Sequence, residues 1–140
     1  MTKHEEREYF FRLVFLLDFH EKDDMAEQLD LFRRLQMASE QETFEVIKEK
    51  ALKLFEKQGE IDTILSKAST GWPLGRLGKS ELAIMRVAAY EIMFDDDVPA
   101  GVAINEAVEL AKVYGNDSAP SFVNGVLAKL VKPEDGEPSA

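Results

Sequence analysis

An all-α fold of about seven helices is what this sequence predicts. Apolar residues recur at three- and four-residue spacing along most of the chain, and no stretch alternates apolar and polar residues as a half-buried strand would. Helix start and stop signals punctuate the pattern at plausible helix lengths. The chain has 140 residues, is 45% hydrophobic and carries 17 Lys+Arg against 27 Asp+Glu, a formal charge of −10. A chain of roughly 150 residues buries about 68–70% of its unfolded surface, enough for a real core. The hydrophobic content excludes a disordered chain. The charge argues against a general nucleic-acid coat protein, although a local basic site is compatible with it.

The first helix is expected over about residues 4–20, where Phe10, Leu13, Val14 and Leu17 form one stripe and Phe11, Phe15 and Leu16 cover the other side. That half is apolar nearly all round, so deep burial is expected, with Phe15 in the core. Met25, Leu29, Phe32 and Leu35 mark a second helix. Ser39 followed by Glu42 has the capping-box pattern and is expected to open a third, with Phe44, Ile47, Ala51, Leu54 and Phe55 inward. Glu49 and Lys53 pair across its wet side, and Gly59 is placed to end it. A shorter fourth helix runs from Glu60 to about Ala68. Leu82, Met85, Ala89 and Ile92 define a fifth over Ser80 to Phe94, which Asp95-Asp96-Asp97-Val98-Pro99 interrupts. Ile104, Ala107, Val108, Ala111 and Tyr114 define a sixth, with Gly115 as its C-terminal cap. Val123, Val126, Leu127 and Leu130 define the last. Residues 1–132 are therefore expected to form one helical domain, with halves of about 1–69 and 70–132 divided at the Gly-rich stretch Gly71–Gly78. The final segment, 133–140, has two Pro, one Gly and no large apolar residue, and is expected to be a disordered tail.

Most tests for chemistry fail. No Cys is present, which removes disulfides, thiolate zinc sites and cysteine nucleophiles together, and fits a reducing cytoplasm. The longest unbroken apolar run, Leu13–Leu17, is far short of the ~18–20 residues of a membrane span. Glu5, Glu6 and Glu8 stand where an export signal would be basic, so none is expected. Gly78-Lys79-Ser80 resembles the end of a phosphate loop, but Pro73 occupies the place of the required earlier Gly and no strand precedes it. The two imidazoles, His4 and His20, bracket the first helix about 24 Å apart at ~1.5 Å per residue, too far to share a metal or a proton. Ser80, Ser118 and Ser121 have no His partner within reach, and Glu91, Glu106 and Glu109 read as solvated or capping carboxylates. No catalytic residue, no metal site and no cofactor is expected, and the chain reads as a non-enzyme. Lys3, Arg7 and Arg12 lie loosely along one edge of the first helix with His4 nearby, where cations could grip phosphates. Glu5, Glu6 and Glu8 dilute that potential.

Residues 72–130 resemble the NusB family. The resemblance rests on Trp72-Pro73-Leu74-Gly75-Arg76-Leu77-Gly78-Lys79-Ser80-Glu81, on Met85-Arg86-Val87-Ala88-Ala89-Tyr90-Glu91-Ile92, on Ala103-Ile104-Asn105-Glu106-Ala107-Val108-Glu109-Leu110-Ala111-Lys112, and on Phe122-Val123-Asn124-Gly125-Val126-Leu127. Residues 7–19 are similar to the family's first helix. The resemblance implies two small helical sub-bundles packed together. It also implies a cytoplasmic transcription antitermination factor that binds the boxA element of ribosomal RNA leaders with the ribosomal protein NusE, within an RNA polymerase antitermination complex. The family's Arg-rich motif falls on Lys3, His4, Arg7 and Arg12, and its second RNA strip falls on Asn116-Asp117-Ser118 and Phe122. Phe122 lies off the Val123/Val126/Leu127 stripe, where its ring could stack on a base or pack against the first helix. Arg76 and Glu81 match the NusE-facing region. Glu5 and Glu6 replace cations common in the family, and three phosphate contacts would give a single-strand salt slope near −0.7 × 3, roughly −2. An interaction module of the same fold with weak or lost RNA binding is the alternative. Family members occur as monomers and homodimers, so a homodimer is compatible with the resemblance.

Overall fold

A computed structural model describes residues 1–70 and 77–131. The predicted tail and Arg76 lie outside the described residues. Among those described there are seven α-helices and one 3₁₀ turn, and no strand. The all-α expectation is met. The helices group into two compact units, Met1–Glu56 and Lys57–Ala140.

In the first unit, α1 (Lys3–Leu17) packs on α2 (Met25–Gln36) and α3 (Gln41–Glu56), and a 3₁₀ turn at Lys22–Asp24 leads into α2. The capping box stands at the start of α1 rather than at Ser39. The Glu5 amide donates to Thr2 Oγ1 at 3.0 Å, and the Thr2 amide donates to Glu5 Oε1 at 2.8 Å. Because α3 begins at Gln41, the residue at its threshold is Glu40, one place past Ser39. α1 ends earlier than periodicity suggested: the Phe19 and His20 amides donate to the Leu16 and Leu17 carbonyls, a tighter turn than the α-helix. Phe10, Phe11, Leu13, Val14 and Leu17 are buried, whereas Phe15 and Leu16 are only half-buried. In α2 the expected stripe reduces to one buried residue, Phe32, whose ring meets Tyr9 edge-on at 6.5 Å and Phe44 at 6.4 Å. Leu35 is 77% exposed, and Met37, just past the helix, is buried. α3 buries Phe44, Ile47, Ala51 and Leu54, and Lys53 Nζ reaches Glu49 Oε1 at 3.3 Å as spacing predicted.

In the second unit, α4 (Gln58–Ala68), α6 (Ala100–Tyr114) and α7 (Ala119–Ala128) all contact α5 (Lys79–Phe94). The division between units falls at Lys57 rather than at the Gly-rich stretch, so α4 groups with the C-terminal helices. Gly59 lies inside α4 instead of ending α3. A single residue, Lys57, separates the two helices, and its ammonium lies 5.3 Å from the Phe94 ring centre. The sequence suggested one apolar stripe on α5, but Leu82 to Glu91 are all buried. That burial takes Arg86 inside. Its Nε donates to Asp62 Oδ1 at 2.9 Å and its Nη2 to Asp62 Oδ2 at 2.8 Å, a two-pronged grip that meets the guanidinium's planar geometry. No buried side-chain nitrogen or oxygen among the described residues lacks a partner.

On α6 the buried set is Ala103, Ala107, Leu110 and Ala111, about one residue round from the predicted stripe. Small side chains at i, i+4 and i+8 let α6 approach closely, and the bulkier Ile104 and Val108 flank the contact half-buried. Gly115 does cap α6, but with φ −103° and ψ −179°, an extended backbone open to any residue. Its lack of a side chain is needed for space. A Cβ there would lie 2.5 Å from Ala119 Cβ and 2.9 Å from the Ala111 carbonyl oxygen, neither of which can swing aside.

Two predictions follow from this packing. Asp62→Ala leaves the Arg86 guanidinium buried without its bidentate partner and lowers stability by about 2–3 kcal/mol, read as a lower urea midpoint with little change in slope. Gly115→Ala forces α6 and α7 apart at their junction and costs about 1–3 kcal/mol in the same assay.

Candidate nucleic-acid interface

The predicted cations sit in the first unit, and the helix divides them. Nine residues of α-helix turn through about 900°, so Arg12 lies roughly 180° round α1 from Lys3, whereas Arg7 lies only about 40° from it. The single edge expected from the sequence therefore splits in two. Lys3 is 90% exposed, and its Nζ lies 3.9 Å from Glu6 Oε2. That same carboxylate oxygen lies 3.9 Å from Lys50 Nζ of α3, a cation that sequence reasoning missed because it comes from 47 positions further along. Lys3, His4, Arg7 and Lys50 thus share a neighbourhood with Glu6 set among them. His4 is exposed and Arg7 half-buried.

On the opposite side of α1, Arg12 donates through Nη2 to Glu8 Oε2 at 3.1 Å, and its guanidinium carbon lies 5.1 Å from the centre of the Tyr9 ring. A ladder of rings runs down this helix from core to surface. Phe11 is buried, Phe15 lies 6.0 Å from it at half burial, and Phe19 meets Phe15 edge-on at 5.1 Å. Phe19 is 56% exposed. The i, i+4, i+8 spacing of these three aromatics was visible in the sequence. What was not visible is that the helix ends at Leu17 and leaves the last ring outside.

The second predicted strip lies in the second unit. Ser118 is exposed at the threshold of α7, but both its amide (3.0 Å) and its hydroxyl (2.9 Å) donate to Asn116 Oδ1. Its hydroxyl hydrogen is spent on the turn, so Ser118 shapes the strip more than it offers a donor. Phe122, half-buried, lines a cavity of about 230 Å³ between the C-terminal end of α4 and α7, with Ser69, Thr70, Ser121, Gly125 and Lys129. Lys129 Nζ donates to the Ala68 carbonyl at 3.0 Å, which satisfies one of the carbonyls left open at the end of α4 and pins α7 to it. No local pattern could have found Ser69, Thr70 and Lys129, because the contact spans some sixty residues. Glu81 occupies the first turn of α5, half-buried, where a carboxylate favours the positive helix end; its carboxylate carbon would sit 3.5 Å from a Cβ on Gly78. Among the described residues no group of three or more His, Asp or Glu could hold a metal ion, and no helix is long and apolar enough to cross a membrane.

A model of the NusB family matches residues 4–132. The chain belongs to the NusB family. A relative from Lachnoclostridium phytofermentans, described as transcription antitermination protein NusB, is 51% identical over 131 residues, covering 94% of this chain and 99% of the relative. A protein of the same description from Agathobacter rectalis is 46% identical, covering 93% and 99%. The T. maritima NusB structure superposes with a TM-score of 0.83 at 27% identity over 99% of both chains. The NusB fold is thus shared with that structure.

Glu5 carries a testable electrostatic signature within the cationic neighbourhood. The two hydrogen bonds with Thr2, backbone first and hydroxyl second, hold its carboxyl below the usual carboxylate range. The folded value is the depressed one, so the stabilisation is fully present above the ordinary Glu value and is lost as pH falls through the lowered one. An NMR titration is expected to show the Glu5 carboxyl titrating below the ordinary glutamate value, and Thr2→Ala, which removes the hydroxyl but keeps the amide donor, to raise it only part of the way back.

Proposed function

We propose that this chain is a cytoplasmic transcription antitermination factor. It holds the boxA element of ribosomal RNA leaders together with NusE, so that RNA polymerase reads through terminators. The observation that carries this reading is family membership over residues 4–132 with relatives above 45% identity bearing that description. No bond is made or broken in such a role. The chain supplies a surface for single-stranded RNA and another for a protein partner. Lys3, His4 and Arg7 meet phosphates along one side of α1. Arg12 stands with Phe15 and Phe19 on the other, and Phe122 presents a ring at the α4–α7 cavity. Glu81 and Arg76 are the residues assigned to the contact with NusE.

The electrostatics support modest affinity. Glu6 lies close to both Lys3 and Lys50, and Glu8 holds Arg12, so the cations are partly neutralised before RNA arrives. With Lys3 and Arg7 acting together and Arg12 turned away, the single-strand salt slope is expected near −0.7 × 2, about −1.4 rather than −2. NusE then supplies the remaining affinity. Those same carboxylates favour the second reading, an interaction module in which NusE binding is retained and RNA binding is lost.

Fluorescence anisotropy of boxA RNA against a scrambled RNA, at two salt concentrations with and without NusE, separates the two. The first reading predicts a preference for boxA that NusE strengthens. Arg7→Ala weakens it about three- to fivefold and reduces the slope by about 0.7, while Arg12→Ala has the smaller effect on the slope. Equal binding of boxA and scrambled RNA by the pair would defeat it and leave the interaction module.

A further inference from the structure

One carboxylate oxygen in the first unit faces two lysines from different helices. Glu6 Oε2 lies 3.9 Å from Lys3 Nζ in the first turn of α1 and 3.9 Å from Lys50 Nζ on α3. The two ammonium groups are therefore no more than about 7.8 Å apart, twice that distance. Neither contact is a hydrogen bond, since an ammonium bonds a carboxylate oxygen at about 2.7–2.9 Å. Lys112 and Glu109, at 2.8 Å, show a closed pair in the same chain. A single carboxylate also balances only one of the two positive charges and leaves the other in excess. Glu6 and Lys50 are partly buried, with side chains 20% and 27% exposed among the described residues, so their attraction is screened less than that of a fully wet pair. Glu6 is tethered to α1 and turns the same oxygen toward both lysines. A phosphodiester carries the same single charge, is not tethered to α1, and can turn one outer oxygen to each.

We infer that Lys50 and Lys3 form a clamp for one backbone phosphate of single-stranded RNA, in which Glu6 holds the place of the phosphate until RNA displaces it. This inference rests on the RNA reading above. It extends the RNA face from α1 onto α3 and makes Glu6 a built-in competitor of the ligand. The two lysines have different parts. Lys50 is half-buried, so its stem is held against α3 and its ammonium fixes where the phosphate sits. Lys3 is 90% exposed and can follow the phosphate as it arrives. Glu6 ends in a flexible side chain within the first turns of α1, and its carboxylate can turn aside without moving the helix. Phosphate contacts carry no sequence information, so the clamp sets the position and affinity of the strand and leaves the choice of bases to other residues.

The test measures anisotropy of boxA and scrambled RNA at two salt concentrations, with and without NusE, alongside thermal melting. The full chain is compared with Glu6→Gln, Lys50→Met and Lys50→Arg. Glu6→Gln is expected to tighten both RNAs about three- to fivefold, with a smaller gain at the higher salt. Lys50→Met keeps an apolar stem for packing and loses the charge; it is expected to weaken both RNAs by about the same factor, and Lys50→Arg to restore them. If Glu6 and Lys50 merely tie α1 to α3, Glu6→Gln and Lys50→Met both lower the melting temperature and the folded variants bind RNA as the natural chain does. That result overturns the clamp and leaves the RNA reading standing. A loss in Lys50→Met that Lys50→Arg does not restore also overturns it, because the loss would then come from packing. Unchanged or weaker binding by Glu6→Gln does the same, since Glu6 would not be competing with phosphate. If neither the natural chain nor Glu6→Gln binds either RNA, with or without NusE, the clamp and the RNA reading fall together.

Discussion

The second unit depends on one ion pair. A helix buried on every side cannot be amphipathic, so any polar group that it carries inward must be met by a neighbour. On α5 that group is Arg86, and the answer is Asp62 of α4, which offers both oxygens to two guanidinium nitrogens. Two parallel hydrogen bonds fix rotation and translation together, which a single contact would not. They set the register of α4 along α5. The end of α4 is thereby placed where Lys129 can reach the Ala68 carbonyl, and the cavity beside Phe122 forms between α4 and α7. That cavity is in this sense a consequence of how a buried charge was neutralised.

The surface follows a different rule. With a formal charge of −10, the molecule cannot attract RNA by its overall field. Whatever affinity it has must come from short-range contacts at chosen places, and the ion pairs show how narrowly they are chosen. Arg33 and Arg34 both donate to Asp30, which holds that carboxyl below its usual range, with the Arg33 bond the larger cause. Lys112 is taken by Glu109 at 2.8 Å, and Arg12 by Glu8. Exposed pairs of this kind contribute little to stability. Their effect is to neutralise cations locally, and Lys3, almost fully exposed, lies at the longer distance of 3.9 Å from Glu6.

Much of the fold was legible because periodicity reports burial directly. α5 falls within one residue of its expected bounds, and the buried face of α3 matches residue by residue, with only Phe55 left half-buried. Errors arose where local signals compete. Two stretches carry the capping-box pattern, Thr2 with Glu5 and Ser39 with Glu42, and only the first coincides with a helix start. Gly59 looked like a stop signal, yet α4 runs through it. Leu35 fits the α2 stripe but points to water, because Phe32 and Met37 already fill the inner side. In the candidate site, Lys3, His4, Arg7 and Arg12 could be named from residue type. Their division between two sides of α1 could be computed only once the helix was known to be regular and to begin at Lys3.

By itself the sequence determined the helical class, most of the apolar faces, and the family. Each of these depends on residue type or on spacing within a turn or two, where the chain's own geometry is the only variable. Tertiary structure decided the pairing of Arg86 with Asp62, the anchoring of Lys129 on Ala68, the approach of Lys50 to Glu6, and the crowding of Gly115 by Ala119. All four require distances between residues brought together by packing. Such distances follow from how rigid helices fill space against one another, a property that no local pattern encodes.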